Sequence, residues 1–151
     1  GGEIDGMFSF LPYAGELSAR TDVRLVEDLC PAPEDDWIST FTVSTPLVER
    51  HPEAVQAVVD VTLMAAEWAK SHAEDVVAIH AENLAVRPES IRLGYGADVH
   101  ETLVPELSPS AVATLNQTQD YLLKHKLLDE RIDIAAWSEP RFLESALAAA
   151  A

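Results

Sequence analysis

Apolar residues in the first third of the chain are grouped in a way that predicts short β-strands. Ile4–Phe10 is short, apolar and aromatic, and glycine and proline bound it. In Val23–Leu29 and Trp37–Val43 apolar side chains alternate with polar ones, and a period of two places them on opposite faces of a strand. Between the first two stretches, Leu11–Pro12 opens a helix that we expect over Tyr13–Ala19. The first third therefore predicts three strands and one helix.

The third predicted strand leads directly into a long helix, and this junction, Phe41–Val55, is the most informative stretch of the sequence. His51–Pro52–Glu53 places proline at the first helical position and an acid in the first turn. Apolar positions then recur at spacings of three and four over Pro52–Lys70, which predicts an amphipathic helix. Further apolar residues widen this stripe, so we expect the helix to be covered on two sides: Val61, Leu63, Met64 and Trp68.

Start signals predict four more helices after the long one. Ser71–Glu74 has the capping-box pattern and predicts a helix to about Leu84. Arg87–Pro88–Glu89 predicts a short helix to about Gly94, and Ser108–Pro109 predicts a helix over Ser110–Leu128. Ser138–Glu139–Pro140 precedes the last one. The resulting order of three strands and six helices is lopsided, because a doubly wound sheet normally alternates the two. We expect the helical part to require a sheet that this chain lacks.

Charge and composition exclude several classes of protein. The 151 residues carry a net charge of −16, which argues against binding to nucleic acids or to anionic membranes. No apolar run approaches the roughly 20 residues that span a bilayer, and Gly1–Gly6 lacks the basic start of a signal peptide. The single cysteine, Cys30, cannot form an internal disulfide and is interpreted as a partly buried free thiol.

No motif supplies a complete catalytic set, a metal site or a cofactor site. The five histidines form neither an HxxxH nor an HExxH pattern, and there is no CxxC. Gly94-x-Gly96 lacks the third glycine of a dinucleotide loop, and no GxSxG nucleophile motif is present. The acidic segment Cys30–Asp36 lacks the spacing of a calcium loop and is interpreted as a solvated loop. We therefore predict no catalytic residue, no metal ligand and no cofactor.

The most site-like feature is the segment of residues 9–13, where the first predicted strand meets the first predicted helix. Ligands of open α/β sheets bind at the carboxyl ends of strands, near helix N-termini. The segment offers a hydroxyl, two aromatic rings and free helical amides. We predict ligand contacts from five residues: Ser9, Phe10, Leu11, Pro12 and Tyr13. The alternative interpretation is an ordinary strand–helix corner whose aromatic side chains belong to the core.

Three stretches resemble a known superfamily: GGEIDGMFSFLPYA, FTVSTPLVERHPEAVQAVVD and AAEWAKSHAEDVVAIHAENLAV. They are similar to the C-terminal half of type-2 periplasmic-binding-protein-like proteins, in the sulfonate/nitrate/taurine branch of ABC-transporter solute-binding proteins. This resemblance implies an α/β fold, the helix-rich C-terminal portion of a bilobed protein with few strands. Residues 1–43 would be a remnant of the ligand-binding lobe with its return strand. Residues 44–151 would be a helical part that packs on a missing N-terminal lobe.

A second resemblance is local: LPYAGEL, GYGADVHETLVPEL, TQDYLL and Trp137–Leu143 look like the hydroxybiphenyl-sulfinate desulfinases of dibenzothiophene desulfurisation. Those enzymes cleave a carbon–sulfur bond. Leu11 agrees with them, whereas many transport proteins carry an acid before the following proline. The resemblance implies a nucleophilic cysteine with histidine and arginine partners in the N-terminal part, and no position here corresponds to them. Cys30 lies in an unrelated loop and inherits no role.

Three functions follow as hypotheses. The first is the ligand-binding half of a solute-binding protein for a small anionic or organosulfur compound, located in the periplasm and partnered by a membrane permease. The alternative is a fragment of a desulfinase-like enzyme, cytoplasmic and without its catalytic N-terminal residues. The third is a stand-alone helical interaction module. In either of the first two cases the expected partners are a small-molecule ligand and the missing N-terminal lobe or a second copy, with no nucleic acid.

Overall fold

The fold is described from a computed structural model, which covers residues 5–9, 12–26, 39–102 and 104–150. All regular secondary structure in these residues is helical. The helices are, in order, α1 Tyr13–Ser18, α2 Thr45–Arg50, α3 Pro52–Ala69, α4 Ala73–Leu84, α5 Pro88–Tyr95, α6 Val99–Thr102, α7 Pro109–Lys124, α8 Ile134–Trp137 and α9 Arg141–Ala150. Within the described ranges, no helix combines the length and the apolar character needed to cross a membrane.

The predicted strands are absent from the described residues, so the α/β fold class was wrong for this part of the chain. Residues 5–9, 23–26 and 39–43 form neither helix nor strand. Their large apolar side chains other than Val43 are exposed, Phe8 by 89% and Val26 by 93%. A strand forms only when a neighbour accepts its backbone hydrogen bonds. Alternating sequence alone does not supply that neighbour. The rest of the predicted strands lies outside the described residues: residues 4, 10, 27–29 and 37–38.

The junction over residues 41–55 joins two helices and not a strand to a helix. Ser44 has an extended backbone and precedes α2, whose first turn contains Pro46. This is the usual arrangement of a helix start, and it was overlooked because Thr45 also continued the alternating pattern. The backbone N–H of His51 donates to the Leu47 carbonyl at 2.9 Å and ends α2. The long helix α3 then begins at Pro52, as predicted.

The helices that were predicted from local start signals are confirmed, with differences at their ends. The Ser108 hydroxyl accepts from the Ala111 N–H at 3.2 Å and caps α7, as predicted. Ser71 does not cap α4, because its hydroxyl donates to the Trp68 carbonyl and His72 occupies the cap position. Helix α7 stops at Lys124 and not at residue 128. The reason is a left-handed residue, Lys126 with φ of 58°, which turns the chain back onto α7.

The first of two compact units comprises Gly1–Asp28 and Ala65–Val104. In it α1 packs on α5, and α4 packs on both α5 and α6. The side chains of Ile91 and Val99 are buried almost completely, with exposures of 0% and 1%. They form one core with other small apolar residues of α3 and α4: Ala69, Val76, Val77 and Ala81. This core supports α5, the helix on which α1 lies.

The second unit comprises Leu29–Met64 and Pro105–Ala151. In it α7 packs on α8, and a buried glutamine holds the connection between them. The Gln119 side-chain oxygen accepts from the Ile132 N–H at 2.9 Å, and its nitrogen donates to the Ile132 carbonyl at 3.1 Å. Gln119 itself is buried, with 4% of its surface exposed.

Among the described residues helix α3 is covered on one side only, which differs from the prediction of cover on two sides. Val55 and Ala66 are buried, with exposures of 4% and 5%. On another face Val58, Val61 and Met64 are exposed by 46%, 63% and 70%. We refer to these last three residues as the outer face of α3. Within the described residues, these three apolar side chains remain largely exposed to solvent.

Candidate functional site

The structure places the predicted ligand-contacting segment at the start of α1. Ser9 is exposed, Pro12 is buried, and Tyr13 is the first residue of the helix, with 46% of its surface exposed. Phe10 and Leu11 lie outside the described residues. Pro12 occupies the cap position and not the first helical position, and its carbonyl accepts from the Glu16 N–H at 3.1 Å. The described residues of the segment therefore present a hydroxyl and an aromatic ring at the surface.

The free backbone amides at the start of α1 are expected to contribute little to ligand binding, because the helix has only six residues. A helix of this length is not stable in isolation and has few aligned peptide dipoles. Its position depends on the contacts that it makes with the rest of the first unit. Those contacts are concentrated on α5.

Helix α1 approaches α5 through a glycine. Gly15 is buried, and a Cβ atom built on it would lie 2.3 Å from the Ser90 carbonyl oxygen and 3.1 Å from the Gly94 nitrogen. Both are backbone atoms, which cannot move aside as a flexible side chain can. Only glycine fits at this position. The sequence stretch LPYAGEL contains this residue, but sequence reasoning did not assign it a role.

The next residue anchors α1 to α5 by hydrogen bonds, in what we call the Glu16 cluster: Glu16, Arg87 and Ser90. The hydroxyl of Ser90, a residue with 0% exposure, donates to Glu16 Oε2. Arg87 Nε donates to Glu16 Oε1 at 3.0 Å and to Oε2 at 3.3 Å, and the Arg87 N–H reaches Oε2 at 3.5 Å. Both carboxylate oxygens are thus engaged by α5.

These hydrogen bonds favour the ionised form of the Glu16 carboxyl. The Ser90 hydrogen bond is the main cause that lowers the pKa of Glu16 below its ordinary value of 4.5, and Arg87 adds to it against an opposing effect of burial. Because the pKa is lower in the folded chain than in the unfolded one, the contribution of the cluster to stability is present above pH 4.5. It is lost as the pH falls through the folded-state pKa.

Sequence reasoning could not find the Glu16 cluster. Its partners are separated along the chain by 71 and 74 residues, and Arg87 was used only as part of a helix-start pattern. The only local signal was a glycine inside a predicted helix, which is consistent with a close packing contact but does not specify one.

The histidines take structural positions. The His72 ring stacks on the Trp68 ring with centroids 4.2 Å apart, and His80 Nδ1 lies 2.9 Å from the Val76 carbonyl. In α6, His100 Nδ1 is buried with no hydrogen-bond partner among the described residues. Those residues contain no group of three or more His, Cys, Asp or Glu side chains that could hold a metal ion. Cys30 lies outside the described residues.

Two open grooves lie in the second unit and do not include the predicted ligand contacts. One, of about 420 Å³, lies between the starts of α3 and α9 and is lined by Gln56, Arg141 and Phe142 among others. The other, of about 470 Å³, lies between α7 and the chain leading into α8. Ser71 Oγ lies 2.9 Å from His72 Nδ1, but this pair is exposed and lines neither groove.

No family model matches the chain. Over 146 residues it is 40% identical to the 2'-hydroxybiphenyl-2-sulfinate desulfinases of Rhodococcus erythropolis and Rhodococcus qingshengii. The match covers 97% of this chain and 40% of each relative, so the chain spans about two fifths of the length of these relatives.

Two solved structures are similar to this one. The first is the desulfurization enzyme DSZB, with a TM-score of 0.90 and 39% identity, over 99% of this chain and 43% of that one. The second is a cysteine-to-serine mutant of DSZB in complex with biphenyl-2-sulfinic acid, with a TM-score of 0.87 and 40% identity, over 97% of this chain and 42% of that one. Over nearly the whole length of this chain, the backbone therefore follows part of the backbone of a desulfurization enzyme.

These similarities correct three expectations. The resemblance to periplasmic binding proteins of ABC transporters was wrong, since the relatives are desulfinases. The expectation of a bilobed type-2 binding-protein fold was wrong with it, because the structure follows DSZB and has no strand in its described residues. A membrane permease is not supported as a partner, because enzymes of this kind do not require one. The similarities support the alternative, a segment of a desulfinase-like enzyme.

Proposed function

We propose that this chain is part of an enzyme that cleaves the carbon–sulfur bond of an aromatic sulfinate. The observation that carries the proposal is 40% identity to 2'-hydroxybiphenyl-2-sulfinate desulfinases over 97% of the chain. In such a reaction the aryl carbon gains a proton, the sulfur gains a hydroxyl oxygen from water, and sulfite leaves. The atoms balance with water as the only co-reactant, so no cofactor is needed for the net change.

The catalytic groups are proposed to lie in the part of the relatives that this chain does not span. A C–S cleavage requires at least a proton donor at the aryl carbon. The resemblance to desulfinases implies a nucleophilic cysteine with histidine and arginine partners in the N-terminal part, and no position here corresponds to them. The contribution of this chain is then binding and support. Residues 44–151 are proposed to pack, through surfaces such as the outer face of α3, on the rest of the enzyme. An exposed apolar face of this kind commonly marks an interface.

The start of α1 is proposed to face the substrate. Tyr13 is half-exposed on a helix whose position is fixed by Gly15 and Glu16, so its ring is presented in a defined orientation. An aromatic sulfinate offers ring faces and edges with which a tyrosine ring can stack. Ser9 adds a hydroxyl at the surface. The cytoplasmic location is part of the same proposal and rests on the resemblance to desulfinases alone.

Replacing Tyr13 with alanine is expected to weaken binding of biphenyl-2-sulfinate by about three- to tenfold, the value of one aromatic contact. The measurement is a calorimetric titration of a chimera in which this chain replaces the matching segment of the R. erythropolis desulfinase, in a cysteine-to-serine form that does not turn over. Tyr13→Phe keeps the ring and should bind like the parent. Tyr121→Ala, a change at an exposed tyrosine of α7, is the control. Equal losses of affinity and of thermal stability in Tyr13→Ala would instead indicate a structural role.

A further inference from the structure

The orientation of α1 is set from outside the helix. It has six residues, its cap residue Pro12 makes no side-chain capping hydrogen bond, and a single helical turn forms poorly on its own. What fixes it is α5, through the close approach of Gly15 and through the hydrogen bonds of Glu16. The first contact sets the distance between the two helices.

The second contact sets the rotation of α1 about its own axis. Ser90 and Arg87 lie one turn apart or less on α5 and its cap; Ser90 donates to Glu16 Oε2, and Arg87 Nε donates to both carboxylate oxygens. A carboxylate held at both oxygens cannot swing without breaking a hydrogen bond. Tyr13 precedes Glu16 by three residues, and residues three apart lie on the same side of a helix. Any rotation that moves Glu16 therefore moves the Tyr13 ring as well.

We infer that Glu16, held by Arg87 and Ser90, is a positioning residue that fixes the orientation in which α1 presents Tyr13 to the substrate. The inference rests on the proposed function, in which Tyr13 faces an aromatic sulfinate. Glu16 itself does not need to touch the ligand. Its carboxylate is engaged by α5, and Ser90, its closest donor, has 0% exposure.

A purely structural role for Glu16 predicts something different. In that case its replacement lowers the stability of the whole first unit, and every part of that unit responds. A positioning role predicts a local response, in which α1 and Tyr13 change while the core around Ile91 stays intact. The two roles can be separated because the chain contains three tyrosines in different surroundings: Tyr13, Tyr95 and Tyr121.

The test is made on the 151-residue chain with ¹³C-labelled tyrosine rings and by amide hydrogen exchange. Glu16→Gln is compared with Glu89→Gln, the same chemical change at an exposed acid of α5 that has no partner among the described residues. Ser90→Ala is the second variant, because it removes the strongest donor and leaves Glu16 in place. In Glu16→Gln and in Ser90→Ala we expect the Tyr13 ring signal to shift and amides 13–18 to exchange about tenfold faster. The amides of the core around Ile91 should exchange as they do in Glu89→Gln, and the thermal midpoint should fall only by the contribution of the cluster itself.

The inference is overturned if Glu16→Gln and Ser90→Ala leave the Tyr13 signal where Glu89→Gln leaves it. It is also overturned if the amides of the core around Ile91 exchange faster together with amides 13–18, since a response of the whole first unit is the structural outcome. The same variants in the chimera test the function separately. If the Tyr13 signal shifts but the affinity for biphenyl-2-sulfinate does not change, the result would support the role of Glu16 in orienting α1. It would contradict the proposed substrate contact of Tyr13.

Discussion

Replacing Gly15 with alanine is expected to detach α1 from α5 and to destabilise the first unit. Helix propensity alone predicts the opposite, since alanine stabilises a helix interior by about 1 kcal/mol relative to glycine. The added methyl group, however, would lie 2.3 Å from the Ser90 carbonyl oxygen. Overpacking of this kind costs about 1–3 kcal/mol even where neighbouring side chains can move, and here the neighbours are backbone atoms. A gain in stability would therefore indicate that helix propensity dominates, and a loss would indicate that the steric clash does.

The measurement is amide hydrogen exchange over residues 12–18 together with thermal unfolding. Gly6→Ala is the matched control, because no atom lies within 4 Å of a Cβ built at that glycine. The account predicts faster exchange in α1 and a lower midpoint for Gly15→Ala, and little change for the control. A Gly15→Ala chain as stable as the parent, with α1 still protected, would show that the two helices do not approach each other as closely as described.

Replacing Ile91 with alanine is expected to cost about 2–5 kcal/mol, the range for removing a large apolar side chain from a packed core. Ile91 has 0% exposure and lies in the core formed with Val76, Val77 and Val99. A loss of this size is a large share of the roughly 5–15 kcal/mol by which native domains are stable. The same helix carries Ser90, so the Glu16 cluster should weaken with the core.

The measurement for Ile91→Ala is the free energy of unfolding from urea titration. Leu93→Ala is the control, on the same helix but at a side chain that is 63% exposed. It should change stability by a few tenths of a kcal/mol. If the two variants lost the same free energy, the burial of Ile91 and the core that contains it would be contradicted.

The helices with start signals in neighbouring residues were predictable from the sequence. Ser108–Pro109 and Arg87–Pro88 each combine a favourable preceding residue with a proline in the first turn, and the structure begins α7 and α5 there. The information for such a start lies within four residues. Three short helices, α2, α6 and α8, were missed. In α2 the proline signal competed with an alternating pattern.

The strand predictions failed for a different physical reason. Alternation says which side chains would share a face, but a strand also needs a partner for its backbone, and that partner is distant in sequence. The same limit applies to the candidate site. Residues 9–13 were found as a corner, yet Gly15, Glu16 and Ser90 become informative only when α1 and α5 are brought together. Contacts across 74 residues leave no local pattern.

The functional prediction depended on which resemblance was given more weight. The pattern around residues 41–55 is shared widely and led to the transport interpretation. The stretches LPYAGEL and Trp-x-x-Pro-x-Phe-Leu at residues 137–143 pointed to the desulfinases, which the comparisons support. A structure similar to DSZB at a TM-score of 0.90 resolves the choice between these two families of relatives.

The central claim, that this chain belongs to an enzyme cleaving an aromatic C–S bond, is tested most directly by sulfite release. The chimera with the R. erythropolis desulfinase is given 2'-hydroxybiphenyl-2-sulfinate, and sulfite is measured over time. Its cysteine-to-serine form sets the background, and cooperative thermal unfolding shows that both proteins are folded. The account predicts sulfite release well above that background, with an equal amount of hydroxybiphenyl. A folded chimera that releases no sulfite above the background would contradict it.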